Sequence, residues 1–341
     1  MPHKSISIST DAIVRIIVIL LLIGFLYLIK DVLALLFIAV ILSSAFGPFI
    51  DWLQEKKIPR GVGIIGVYLI FFFVVGGAIY LLIDPITLQI KDLARAFPDF
   101  YDKISSGLQY LQKVDSQEAA KTLSTSLSDL TKSLSQASSS IYNLVTSIFG
   151  GVVSFFVLLV ITFYLTVEKN SLKNFVQSIV PFHHQKYAAD LITKIQHRMG
   201  FWLRGQLILS FIIFLLIYLG LSLLGIKYAL ILALLAGIFE IVPFLGPLIA
   251  AIPGIFFAFA QSPAKAIAVI VLYIVVQQIE NNIIVPKVMG KSTGLNPLVV
   301  ILSILIGMRI AGVVGALVAV PIAAAAAVYV ETLHNKSKAT K

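Results

Sequence analysis

Eight apolar runs, most of them near the length of one membrane crossing, recur along this chain, at 12–29, 32–50, 61–83, 149–167, 207–225, 229–260, 264–285 and 297–330. A helix rises about 1.5 Å per residue, so roughly 20 apolar residues cross the ~30 Å hydrocarbon layer. With 59% hydrophobic and only 12% charged residues, against about a quarter charged in soluble domains, a water-soluble fold would aggregate. The expected fold is therefore all-α: a polytopic helical membrane protein with about eight membrane segments. The first run is as long as a true span and has no small-residue cleavage site before the next, so it reads as an anchor and not a signal peptide.

Two runs, 229–260 and 297–330, are too long for one crossing, and each carries helix-breaking residues near its middle. Each reads as a re-entrant hairpin of two half-helices or as one broken helix. Lys and Arg placement sets the orientation, because cytoplasmic loops collect them. Most of the 26 basic residues fall inside if both termini are cytoplasmic. The net charge of +10 thereby reads as a topology signal, with no nucleic-acid partner.

Residues 84–148 break the apolar pattern. They are rich in Ser, Gln, Lys and Asp, and Leu123, Leu127, Leu130, Leu134, Ala137, Ile141, Leu144 and Ile148 repeat at heptad spacing. They are expected to form a small extracytoplasmic helical domain that packs on itself or contacts neighbouring subunits. The chain then divides into spans 1–3 (1–83), this insertion (84–148), span 4 with a cytoplasmic amphipathic helix (149–206), a transport region (207–330) and a basic tail (331–341). In the amphipathic helix Lys186, Lys194, Arg198 and Arg204 alternate with apolar residues and Trp202, as in a helix lying against anionic lipid headgroups. His183 and His184 have no carboxylate or cysteine near them in sequence, and read as interfacial residues ahead of a metal site.

The chemistry concentrates in the C-terminal half. Glu240 stands in the middle of an apolar run, beside Pro243, Gly246 and Pro247, and Arg309 stands in another, beside Gly312 and Gly315. An ionisable group at that depth costs on the order of 2.5–3.5 kcal/mol on insertion scales. Irregular backbone there is tolerated only against protein or a watery cavity. An offset of 69 residues aligns Glu240 with Arg309 and Gly246 with Gly315; this suggests an inverted repeat of 207–260 and 264–330, with the two charges at facing breaks, or else reflects biased composition. Gln277, Gln278, Glu280, Asn281 and Asn282 form a polar cluster at the end of the seventh run. It reads as a helix end reaching the headgroups or as ligands lining a permeation route. Asn296-Pro297 reads as a helix start. No zinc-binding His-Glu-x-x-His, nucleophile elbow or phosphate-binding loop occurs, and there is no cysteine. Neither an enzyme nor a cofactor or metal site is expected.

Over residues 204–327 the chain resembles the AI-2E family of autoinducer-2 exporters. The likeness rests on Arg204-Gly205-Gln206, on 224–230, 240–247 and 277–286, on Gly290-Lys291, on Asn296-Pro297 and on 312–321. Where the family commonly has His-Pro, this chain has Asn296-Pro297, so no role of that histidine carries over. The resemblance implies a homo-oligomer, with a pentamer as the candidate number, in the bacterial cytoplasmic membrane. It also implies efflux of small molecules: some relatives look like exporters of the quorum-sensing signal autoinducer-2, others like Na+ or H+ antiporters. An oligomeric channel and a membrane scaffold are the competing readings.

Overall fold

The computed structural model describes residues 10–73, 152–290 and 295–339. The insertion expected at 84–148 lies outside the described residues. Every described element is helical. In chain order they are α1 (Thr10–Leu28), α2 (Lys30–Glu55), α3 (Arg60–Phe73), α4 (Val152–Val167), α5 (Ser171–Ile179), α6 (Gln185–Leu223) and α7 (Ala229–Phe239). There follow α8 (Leu245–Gln261), α9 (Pro263–Ile279), α10 (Val285–Met289) and α11 (Pro297–Ala339), with a π-helical turn, Glu280–Ile284, joining α9 to α10.

Among the described residues four helical stretches are long and apolar enough to cross a membrane by length and composition: Lys30–Glu55, Phe182–Leu223, Pro263–Met289 and Pro297–His334, the last of them kinked at Ala311 and Gly312. The pair α4 and α5, bent by 86°, would make a fifth. That is fewer than the eight read from the sequence, and one reason is that the run at 229–260 is broken. Its arms α7 and α8 hold 11 and 17 residues, about 16 and 26 Å at the helical rise, each short of the ~30 Å hydrocarbon layer.

The break has a local cause. Pro243 lacks an N–H and disfavours helical backbone at the residue before it, and Phe244 takes a left-handed φ of 65°. The chain then turns back, and α8 packs along α7. Gly246 is so close to the Phe239 carbonyl that a Cβ would overlap it. The second long run breaks at Ala311 (φ −137°) and Gly312 (φ 59°), where Gly307 is packed just as closely on Gly315. Eight residues of straight helix would hold those glycines ~12 Å apart, so α11 also doubles back. The 69-residue offset carries one break onto the other, and Gly246 onto Gly315.

Helix α6 is the centre of the bundle, touching α2, α5, α7, α9, α10 and α11. Its Ile213, Ile217 and Leu221 pack with Leu232 and Ala236 of α7, Ala250 and Phe257 of α8, and Val269 and Tyr273 of α9. Lower on the same helix, Trp202 and Leu209 pack with Met289, Val300, Ile304, Ala316 and Ala319, and Val242 and Leu245 from the first break join them. At the end of α2, Arg60 donates to Asp51 (2.6 Å), to Gln54 (3.0 Å) and to the Thr166 carbonyl (2.9 Å), and Lys169 pairs with Asp51 (3.0 Å). This cluster ties α2, α3 and α4 together.

The sequence separates an interfacial helix from the span that begins at 207. The structure corrects this: α6 runs unbroken through both. Met199, Trp202, Gln206, Leu209, Ile213 and Ile217, spaced three or four apart, form one buried stripe. Trp202 is 4% exposed, so it is a core residue and not a headgroup anchor.

Candidate functional site

Glu240 immediately follows the last residue of α7, where a helix leaves carbonyls without intrahelical partners. Gln206 of α6 answers one of them: its Nε2 donates to the Glu240 carbonyl oxygen. Both residues are 1% exposed. The charged group that acts most strongly on the Glu240 carboxyl is the carboxyl of Glu280. Glu280 opens the π-helical turn and is itself buried. The Gln277 amide donates to Glu280 Oε2 at 3.2 Å, while Glu240 Oε2 is buried with no hydrogen-bond partner. Among the described residues neither carboxyl takes part in an ion pair.

Two ionised carboxylates offer only acceptors to each other. One proton removes the like-charge repulsion. A hard cation, which takes oxygen ligands, would relieve it as well. The π-helical turn fits this placement, because π-bulges insert a residue and occur often at functional sites.

The other expected site residues divide into three groups. Pro243 is half-buried and Gly246 and Pro247 are buried, all in the break next to Glu240. Of the polar cluster, only Glu280 turns inward with Gln277 beside it; Gln278, Asn281 and Asn282 are exposed, and Asn282 Nδ2 donates to the Gln278 carbonyl (3.0 Å) and Oε1 (3.1 Å). The cluster does not lie at a helix end, since the helical stretch continues to Met289. Asn296 is exposed, and its Oδ1 accepts from the Leu298 N–H (2.9 Å), capping α11 at Pro297.

Arg309 is where the structure departs most from the sequence. It was expected opposite Glu240, yet it is exposed and forms no ion pair among the described residues. Gly312 is exposed at the turn and Gly315 is buried. The charged group that acts on Glu240 is another acid and not a base. An offset in sequence aligns the two breaks but does not make their side chains face one another.

Of the basic residues on α6, Arg204 donates to the carbonyls of Ser44 (3.1 Å) and Ala45 (2.9 Å), holding α6 to α2. Arg198 makes a two-pronged pair with Glu331 of α11, both bonds 3.0 Å. Lys194 and Arg198 line a cleft of about 570 Å³ with His197 and Glu331, and Lys186 is exposed. His183 and His184 lie on an exposed 3₁₀ turn. Gln206 was missed as a site residue. It stands one position before an apolar run and reads from the sequence as a span boundary, although a lone amide on an otherwise apolar stripe was the available signal.

The AI-2E family transporter model matches residues 16–335. Among similar proteins, YrrI of Bacillus subtilis is 25% identical over 297 residues, covering 86% of this chain and 84% of YrrI. YueF of the same organism is 26% identical over 294 residues, covering 84% and 79%. YhhT of Escherichia coli K12 is 35% identical over 123 residues, covering 36% and 35%. All three are provisionally named transport proteins. A family match over nearly the whole length, joined to apolar helices of membrane-crossing length, identifies a membrane transporter, and the chain belongs to the AI-2E family.

Proposed function

We propose that the protein is a secondary transporter that exports small solutes or signalling molecules, of the autoinducer-2 kind, across the bacterial cytoplasmic membrane. In this reading about eight segments enter the membrane, α7–α8 and the doubled-back α11 are re-entrant, and both termini are cytoplasmic. The chain works as a homo-oligomer, and the route passes the breaks at 240–244 and 311–312.

One observation carries the reading: two acids, Glu240 and Glu280, are buried in a chain of transmembrane composition, and among the described residues neither takes part in an ion pair. Two such groups are costly at membrane depth and mark ion or substrate pathways. The same observation favours ion coupling as a second reading, exchange of a monovalent cation for a proton. A pair of acids with no basic partner is suited to hold a cation.

Reconstituted vesicles test it. Vesicles containing the protein should release trapped autoinducer-2 faster than vesicles containing Glu240→Gln, with both proteins eluting as the same oligomer. A wild-type rate equal to that of empty vesicles, for the signal molecule and for Na+ alike, would end the proposal.

A further inference from the structure

We propose that the cleft between α6 and the C-terminal arm of α11 is a site for one anionic phospholipid, its phosphate held by Lys194 and Arg198 and an acyl chain laid along α6 past Phe201 and Ile208. The inference goes beyond the transport reading and does not rest on it.

The case begins from the cleft. Its volume of about 570 Å³ is of the size that small ligands occupy. Lys194, His197 and Arg198 of α6 line it with Glu331 of α11, and Phe201 and Val328 supply its apolar part.

The charges do not cancel. Glu331 accepts two N–H bonds from Arg198, both at 3.0 Å. That pair fixes the guanidinium at the cleft and uses only part of its donors. Lys194 is exposed and joins no ion pair among the described residues. The threonine hydroxyls of the lining donate back into their own helices, Thr193 to the Ala189 carbonyl (2.8 Å) and Thr332 to the Val328 carbonyl (2.7 Å). Two bases against one acid leave a positive site whose donors are an ammonium and a guanidinium, the groups that bind phosphate most strongly.

The helix itself points to a lipid as the source of that phosphate. Lys194, Phe201, Ile208 and Leu215 recur every seven residues, two helical turns, and share one face of α6. The face begins polar and continues apolar, and its Ile208 is 51% exposed. From Lys194 to Ile208 the helix rises about 21 Å, which is one leaflet of a bilayer about 40–45 Å thick with its headgroups. Basic pockets between membrane helices bind anionic headgroups, and the open apolar face beyond this one gives the chains a place. A soluble phosphate compound would gain nothing from that face.

Native mass spectrometry of the full chain, purified in detergent and stripped of lipid, tests the site by titration with dioleoyl-phosphatidylglycerol. One lipid per chain is expected to bind about tenfold more tightly than dioleoyl-phosphatidylcholine, which has the same chains and no net charge. Lys194→Ala is expected to weaken phosphatidylglycerol binding about fivefold, the share of one lysine at an anionic surface. Lys186→Ala removes an exposed charge of the same helix outside the cleft and is expected to change nothing. Should Lys194→Ala melt below the wild type, Lys194→Gln takes its place with the same expectation. Equal affinity for the two lipids, or equal loss in the two lysine positions, would reduce the effect to charge at large and overturn the site. Glycerol 3-phosphate probes the soluble source: at about a hundredfold excess it is expected to leave the lipid bound, and displacement of the lipid would overturn the lipid assignment.

Discussion

Gly307 and Gly315 are packed backbone against backbone, so closely that a Cβ on either would overlap the carbonyl oxygen of the other. The contact is what turns the last apolar run from one long helix into two antiparallel arms. Its counterpart in the first pair is Gly246 on the Phe239 carbonyl.

Gly315→Val should therefore open the second turn. Overpacking of a tight contact costs about 1–3 kcal/mol, and here the obstacle is backbone, which cannot rotate aside. A lowered melting temperature of the purified protein and loss of flux are expected. Gly66→Ala is the control, since nothing lies within 4 Å of a Cβ there. Equal melting temperatures for the two variants would show that the arms are not held by this contact.

Gln206→Leu keeps the volume of the side chain roughly constant and removes the donor to the Glu240 carbonyl. A buried acceptor left without a partner costs about 1–3 kcal/mol. Both stability and flux should fall, because the same bond fixes the backbone that carries the Glu240 side chain. A variant with wild-type melting and wild-type flux would remove Gln206 from the site.

Arg309 is predicted to be indifferent to Glu240. The double variant Glu240→Arg with Arg309→Glu should be as inactive as Glu240→Arg alone. Any partial recovery of flux on making the exchange would mean that the two residues do meet during the transport cycle.

Arg60 and Lys169 both bond to Asp51, but only Arg60 is largely buried, with side-chain exposures of 14% against 63%. Exposed ion pairs contribute about 0.2–1 kcal/mol, whereas hydrogen bonds to charged groups contribute about 1.5–3 kcal/mol. Arg60→Lys loses the planar fork that reaches Asp51, Gln54 and Thr166 together, and should destabilise more than Lys169→Ala. Chemical denaturation of the two variants decides it, and the reverse order would refute the ranking.

Because the chain has no native cysteine, single cysteines report access cleanly. A cysteine at exposed position 334 should react with an impermeant thiol reagent in inverted vesicles and not in intact cells, if the C-terminus is cytoplasmic. Cysteines at 281 and 282 should react more readily than one at 240. Labelling of position 334 in intact cells would invert the topology.

The amino-acid sequence by itself determined the membrane class, the apolar runs from which the helices are built and the places where two of those runs break. These are local or compositional properties: apolar runs of bilayer length, Pro243 after Val242, a glycine able to take positive φ at 312. It also marked Glu240 and Arg309 as costly charges in apolar surroundings, and placed Glu280 in a polar cluster at the end of an apolar run. Only the tertiary structure decided which groups meet. The turn at 240–244 and the π-helical turn each bury an acid, and neither turn's effect on side-chain direction is written in periodicity. From the sequence Glu240 either neutralises Arg309 or binds a cation or a proton. Arg309 on α11 is instead exposed, and the charged group that acts on Glu240 is a second carboxyl, because helix register fixes side-chain direction before charge can act.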